Sequence, residues 1–357
     1  MSEELTRWGW DDGFAASWER ARGEGDDLEP ARVIAEFRGG TVVASAHGEL
    51  KAVTAGRLRR AVKVDQADKP AVGDWVAVHA RPGEGQAMIP AVVRRRTCVV
   101  RRASGRDALP QVVAANVDVV IIATSLAGDV NPRRLERYLA VVRESGARAV
   151  LALTKADLAE DAAATLAQVA AIAGDAPVHV LSSLTGQGVE VLDAYFGGNA
   201  TVALVGSSGV GKSTLINRWL GRSHQTTKEV GDDGRGRHAT THREIFLRPG
   251  GGLVMDTPGM RELGLWAADD GVRDTFADVS EVAASCRFRD CKHVGEPGCA
   301  VQDAITAGTL ARERFDAWLK LAEELATNSA DAARLRKRHE KTSTRALEKL
   351  LRGRGDD

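Results

Sequence analysis

The chain has 357 residues, 43% of them apolar and 27% charged, with 49 Lys or Arg balancing 49 Asp or Glu. That length exceeds one ordinary domain, and the composition excludes a disordered or collagen-like chain. No run approaches the roughly 18 uncharged apolar residues of a membrane span, and the start, MSEELTRWGWDDG, lacks the basic lead and apolar run of a secretory signal, so a cytoplasmic protein without membrane attachment is expected.

Zero net charge hides a segregation along the chain. Residues 1–31 carry three Arg against nine acids, residues 32–110 carry fifteen cations against seven acids, and residues 334–354 carry nine against two. Two basic regions suggest a polyanionic partner touched at more than one place; a solvated basic face is the competing reading.

Residues 1–30 read as an N-terminal extension with one short helix whose aromatics, Trp8, Trp10, Phe14 and Trp18, dock on a neighbouring surface. Residues 31–108 read as all-β. Short alternating runs (RVIAEF, TVVASA, ELKAVTAG, DWVAVHA, AMIPAVV, TCVVRR) are separated by Gly, Pro and Asp turn signals. Five or six such strands suit a small closed barrel of the OB type, with Trp75 in its core. Arg94, Arg95, Arg96, Arg101 and Arg102 cluster near its last strands, as expected of a barrel that binds RNA.

From 109 to 266 strands and helices alternate, which predicts a parallel sheet covered on both faces. VDVVIIAT is a continuous apolar run, as buried parallel strands are, and the next helix has Pro132 in its first turn. Strand RAVLAL, helix 157–173, strand PVHVLS, helix 188–196 and strand TVALVG follow, and a helix begins near Gly211. REIFLR and GLVMD, joined through Pro249 and three glycines, form a hairpin.

Three motifs carry the chemistry. GSSGVGKS directly follows a strand and opens a helix, the context that makes a P-loop match specific. Its glycines let backbone N–H groups point at phosphate oxygens, Lys212 reaches the β- and γ-phosphates, and the Ser213 hydroxyl ligates Mg²⁺. DTPG ends strand GLVM, which places Asp256 as the Mg²⁺-side carboxylate and the Gly259 N–H at the γ-phosphate. Between them, VGDDGRGRHATTHRE has the composition of a switch, with Thr240 the expected Mg²⁺-sensing threonine, Thr241 the alternative, and His238 placed to contact the attacking water.

TKAD ends strand RAVLAL. Asp157 can accept from guanine N1–H and its exocyclic amine, neither of which adenine offers, and the stem of Lys155 can lie along the base. VLSSLTGQG ends the next strand and offers Ser182, Ser183 and their backbone N–H groups to the base oxygen. The base readers precede the phosphate loop, the reverse of the ordinary GTPase order. The site survives such a circular permutation because it is assembled from loops at one end of a parallel sheet.

Residues 267–357 form the last segment. Cys286, Cys291, His293 and Cys299, in the spacing C-x4-C-x-H-x5-C, suit one tetrahedral structural Zn²⁺ with no open position. Phe315, Trp318, Leu319, Ala322 and Leu325 fall on one helical stripe, and a basic helix with Arg336, Lys337 and Arg338 ends the chain.

The rotated motif order, the barrel and the Cys-Cys-His-Cys site together resemble the small ribosomal subunit biogenesis GTPase family, RsgA, also called YjeQ. The resemblance spans roughly residues 31–350. It implies an OB barrel, a permuted GTPase domain and a zinc domain, with late maturation of the small ribosomal subunit through its rRNA and turnover stimulated by that subunit. By motif, Gly206, Ser207, Ser208, Gly209, Val210, Gly211, Lys212, Ser213 and Thr214 match the phosphate loop. Thr154, Lys155, Ala156 and Asp157 match the base reader, with Thr154 where many members have Asn. His238 with Thr240 matches a G-R-H-x-T pattern whose histidine assists hydrolysis, so His238, Lys212 and Thr240 are the expected catalytic group. GTP or GDP with Mg²⁺ and a monomeric state complete the expectation.

Met260, where many signalling GTPases have a water-positioning glutamine, implies slow hydrolysis until a partner docks. A metabolic ATPase or kinase is opposed by Asp157. An RNA-binding zinc protein without turnover is opposed by the intact Lys212 and Ser213, and a large-subunit assembly GTPase by the barrel and the cysteine cluster.

Overall fold

The computed structural model describes the chain apart from residues 1, 23–26, 38–39, 65–67, 103–109, 129, 160–161, 222–242, 257–268 and 328–357. Five strands, β1 (Glu29–Phe37), β2 (Gly40–Ser45), β3 (Gly48–Thr54), β4 (Trp75–Arg81) and β5 (Gln86–Val92), run in the order β1-β2-β3-β5-β4. β4 then pairs back onto β1, so the sheet closes into a barrel. A nine-residue helix, α3 (Gly56–Val64), separates β3 from β4. TCVVRR does not join this barrel. It forms β6 (Cys98–Arg102), which pairs with β7 (Pro110–Ala115) in a separate ribbon.

Trp75 is fully buried, but on the outer face of the barrel. It lies opposite Arg32 in the β1–β4 ladder, so the two side chains share a face, and Arg32 reaches groups outside the barrel. That face is covered by the N-terminal extension, which folds as two helices, α1 (Glu3–Arg7) and α2 (Asp12–Arg22). The Trp10 ring meets the Trp75 ring edge-on at 4.6 Å, with Phe14 at 5.8 Å from Trp75. Strand alternation alone cannot say which face is covered, so the expected core position gives way to a covered outer face.

Arg32 organises this region. Its guanidinium donates to the carbonyls of Trp8, of Gly73 at 3.3 Å and of Asn116 at 3.1 Å, and to Thr201 Oγ1 at 2.8 Å. Burial lowers its pKa to about 10, with Asp118 and Asp74 opposing that shift, so it stays charged at neutral pH. One side chain thereby fastens the extension, the barrel and the foot of the strand that leads to the phosphate loop.

The second part of the sheet orders β10 (Val178–Val180), β9 (Arg148–Thr154), β8 (Val119–Ser125), β11 (Thr201–Gly206), β13 (Leu253–Asp256) and β12 (Arg243–Leu247). Its strands are parallel except β12, which is antiparallel to β13. β12 also pairs with β1, so barrel and parallel strands form one eleven-stranded sheet. The expected helix from 157 splits into a 3-10 turn, Ala156–Leu158, and α5 (Ala162–Ala173). The expected helix at 188–196 is a 3-10 segment, Val189–Asn199, broken at Gly197 and Gly198.

Two compact units result: residues 1–130 with 145–264, and residues 131–144 with 265–357. The second unit holds α4 (Pro132–Glu144), the helix that lies between β8 and β9 in sequence. With it come α7 (Asp269–Thr275), α8 (Ala277–Ala284), α9 (Ala300–Thr306) and a helix at 312–327. α4 and α7 approach so closely that a Cβ on Gly271 would stand 2.0 Å from the Ala140 carbonyl. Arg314 fastens the unit by donating to Glu136 at 2.9 Å, Asp278 at 2.9 Å and the Thr275 carbonyl at 2.7 Å. On the helix at 312–327, Phe315 and Leu325 are buried as expected, and Leu321 is buried where Leu319 and Ala322 are only partly so. No described helix is long and apolar enough to cross a membrane.

Candidate functional site

The phosphate loop connects β11 to α6 (Lys212–Leu220). Its glycines are required by conformation and by space. Gly206, Gly209 and Gly211 have φ of +141°, +77° and +97°. A Cβ on Gly206 would stand 2.2 Å from the Ala123 carbonyl on the neighbouring β8, and one on Gly211 would stand 3.3 Å from Ser183 Oγ. Lys212 Nζ donates to the carbonyls of Gly206 at 2.8 Å and Ser207 at 2.5 Å, so the ammonium is held inside the loop it serves. Gly211 sits at the N-cap of α6, with Ser213 and Thr214 in the first helical turn, where free N–H groups favour phosphate.

The segments expected to read the base stand beside it. β9 ends at Thr154, and Lys155 takes a left-handed conformation, φ +60°, that turns the chain into the 3-10 turn carrying Ala156 and Asp157. The Ala156 N–H bonds the Leu181 carbonyl at 3.2 Å, joining TKAD to the segment after β10. In that segment Ser182 Oγ accepts from Thr185 N–H at 3.1 Å, and the Ser182 N–H bonds the Gln187 carbonyl at 2.9 Å. Ser183 Oγ is buried with no hydrogen-bond partner among the described residues, facing Gly211 of the phosphate loop.

Thr154 joins the two halves directly. Its Oγ1 lies 2.6 Å from the Val210 carbonyl and 3.1 Å from the Thr124 carbonyl. A hydroxyl has one proton, and the shorter distance marks the phosphate loop as its acceptor. The threonine that stands where many members of the resembled family carry asparagine thus still reaches the loop. On the other side, β13 ends at Asp256 beside β11. Three expected site positions, His238, Thr240 and Gly259, lie outside the described residues, as do the alternative Thr241, Met260 and the tail cations Arg336, Lys337 and Arg338.

The second constellation lies in the C-terminal unit. The ligand atoms of Cys286, Cys291, His293 and Cys299 all fall within 4.8 Å of one another. His293 Nδ1 is 3.5 Å from both Cys286 Sγ and Cys299 Sγ, which marks it as the nitrogen facing the cluster. Three thiol sulfurs and one imidazole at these separations fit the roughly 2.0–2.3 Å bonds of tetrahedral Zn²⁺. The loop is shaped for it. His293 has φ +60°, its carbonyl accepts from Gln302 Nε2 at 2.6 Å, and the Glu296 carboxylate accepts from the N–H groups of Lys292 and Val294, each at 2.8 Å.

The arginines expected to meet RNA divide into two groups. Arg95 forms a two-pronged pair with Asp74, at 2.7 Å on each oxygen, and Asp74 is fully buried. Arg96 pairs with Asp11 and stacks 3.6 Å over the Phe14 ring. Arg101 donates to Gln111 at 3.2 Å, while no bonding partner is found for the Arg94 side chain among the described residues. Composition reveals charge but not pairing, and Asp11, Asp74 and Gln111 lie at no sequence spacing that would announce them.

Residues 92–266 match the family model described as RsgA GTPase. The chain is 48% identical over 332 residues to the small ribosomal subunit biogenesis GTPase RsgA of Opitutus terrae, covering 90% of each chain. Among solved structures, it superposes on YjeQ from Thermotoga maritima with a TM-score of 0.61 and 25% identity, covering 84% of this chain and 99% of that one. YloQ, described as a circularly permuted GTPase, gives a TM-score of 0.58 over 85% of this chain and 97% of its own, at 23% identity.

Proposed function

Because the chain belongs to the RsgA GTPase family, we propose that it hydrolyses GTP during late maturation of the small ribosomal subunit, binding that subunit's rRNA and turning over faster when docked on it. The observation that carries this reading is the Thr154–Val210 bond, which locks a guanine-reading strand end to a phosphate loop that follows it in sequence.

In this reading Asp157 selects guanine, and Ser182 and Ser183 face the base. The backbone N–H groups from Ser207 to Thr214 hold the phosphates, aided by Lys212. A Mg²⁺ ion held by Ser213, Thr240 and Asp256 would supply charge neutralisation at the β- and γ-phosphates. His238 assists the attacking water, with Gly259 at the γ-phosphate. The cysteine cluster holds one structural Zn²⁺ that shapes a loop rather than reacting, since four protein ligands close the coordination sphere. Arg94, Arg101, Arg102 and the tail cations Arg336, Lys337 and Arg338 supply rRNA contacts, and the protein works as a cytoplasmic monomer. The domain limits proposed with it are residues 1–30, 31–108, 109–266 and 267–357.

The test is turnover of GTP and ATP with and without purified small subunits, across a salt series. Preference for GTP, stimulation by subunits and loss of stimulation at high salt are expected. Lys212→Ala should abolish turnover. An ATP preference, or an unchanged rate with subunits present, sinks the reading.

A further inference from the structure

A short junction ties the barrel to the magnesium side of the nucleotide site. β12 pairs with β1 through Ala35 with Glu244 and Glu36 with Arg243. On its other edge β12 pairs with β13, and there Glu244 stands opposite Asp256. Ala35, Glu244 and Asp256 thus form one row across three strands, with about 4.8 Å between neighbouring strands. The barrel backbone stands two ladder steps from the carboxylate that ends β13.

Two residue pairs make a short ladder, and side chains reinforce it. The Glu36 carboxylate accepts from Arg243 Nη1 at 3.2 Å and from Lys69 Nζ at 2.5 Å. The Arg243 and Glu36 side chains are only 14% and 21% exposed, so their attraction is screened less than that of an open surface pair. Burial disfavours the charged Arg243, Glu36 favours it, and the nearby Arg101 opposes it. Glu36 is therefore the anion that holds a cationic corner together, at the residue where β12 begins.

We propose that Glu36, acting through Arg243, is a positioning residue for Asp256: it fixes β12 in the register that sets the Mg²⁺-side carboxylate, and so gives any load on the barrel a two-step route to the nucleotide. This rests on the nucleotide-site reading above. Glu36 is not among the residues assigned to the nucleotide or to Mg²⁺. It acts by holding a strand edge, as a rigid shared sheet allows.

The experiment uses the full chain as wild type, Glu36→Gln, Glu36→Asp, Arg243→Gln and the Glu36→Gln/Arg243→Gln double variant. A fluorescent non-hydrolysable GTP analogue is titrated at varied Mg²⁺ and again in chelator, with the thermal midpoint as a control for folding. Glu36→Gln and Arg243→Gln should each raise the Mg²⁺ needed for half-maximal analogue binding by about fivefold, with the double variant no worse than the poorer single. Glu36→Asp should restore most of the loss, and binding in chelator should stay at the wild-type value. Subunit-stimulated turnover should fall roughly tenfold while intrinsic turnover at saturating Mg²⁺ stays within about twofold. Equal losses with and without Mg²⁺, tracking the thermal midpoint, overturn the proposal, as do single effects that multiply in the double variant. Wild-type analogue binding that ignores Mg²⁺ would instead show that the Asp256 reading is wrong.

Discussion

Thr154 Oγ1 and the Val210 carbonyl lie 2.6 Å apart, and this one bond joins the end of β9 to the middle of the glycine-rich loop that follows β11. The two residues are 56 positions apart, one at the end of β9 and the other in the loop after β11, and β8 lies between those two strands. Both groups are buried, so losing the donor would leave the Val210 carbonyl without this bond, at a cost of about 1–1.5 kcal/mol.

Thr154→Val keeps the shape and removes the proton. Guanine-nucleotide affinity should fall by roughly tenfold, whereas Thr154→Ser should stay near wild type because its hydroxyl can make the same bond. Fluorescent GDP titrations decide it. Equal affinities for the Val and Ser variants would show that the bond does not shape the site.

Asp157 sits in the 3-10 turn that Lys155 opens with its left-handed backbone. If its carboxylate accepts two guanine donors, Asp157→Asn removes the charge and replaces one of the two acceptor oxygens with an NH2 donor. GTP affinity should drop on the order of a hundredfold, and affinity for xanthosine triphosphate should rise, since the new amide can donate to its additional carbonyl. Competition titrations with both nucleotides measure this. An unchanged ratio means Asp157 does not read the base.

What was legible in the sequence follows from how local the chemistry is. Lys212 and the glycines before it must be contiguous to wrap a phosphate, so the loop announces itself. Cys286, Cys291, His293 and Cys299 fall within fourteen residues, close enough for one loop to gather them. Arg32 and Thr201 are 169 positions apart, and Arg243 and Glu36 are 207 apart, so no spacing could reveal them. Trp75 lies on the outer face and not in the expected barrel core, since alternation gives a side chain a side, not what covers it. The assignment of α4 to the C-terminal unit, joined there by Glu136–Arg314 and Arg137–Glu324, is likewise a matter of partners nearly 180 residues or more away.

If the Cys286–Cys299 cluster holds the proposed zinc, removing that ion should unfold the cysteine loop rather than stop chemistry directly. His293 ties that loop to the helical core, with its ring 6.0 Å from Phe315 and 5.7 Å from Trp318. Elemental analysis should give one zinc per chain, and Cys299→Ser should lose it and lower the thermal midpoint by several degrees. Intrinsic GTP turnover should hold within about threefold while subunit-stimulated turnover collapses. A variant that keeps full zinc occupancy would remove Cys299 from the ligand set.

The N-terminal helices give a pH-dependent signal. Asp11 accepts from Arg96 and from the Phe14 N–H, and the Arg96 hydrogen bond does most to hold its carboxyl below the ordinary value of 3.8, against a smaller opposing effect of burial. A carboxylate with a depressed folded-state pKa stabilises the fold fully above its unfolded value, and that contribution is lost as pH falls through the lower one. Below about pH 4 the docking of α2 should therefore weaken, because protonated Asp11 can no longer anchor Arg96 over Phe14. Trp8, Trp10 and Trp18 are all buried at this junction, so tryptophan fluorescence should shift to the red as they meet water. Asp11→Asn should show part of that shift already at pH 7 and a smaller change on acidification. Identical acid titrations for the two proteins would mean that the aromatic contacts with Trp75, not the ion pair, hold the extension in place.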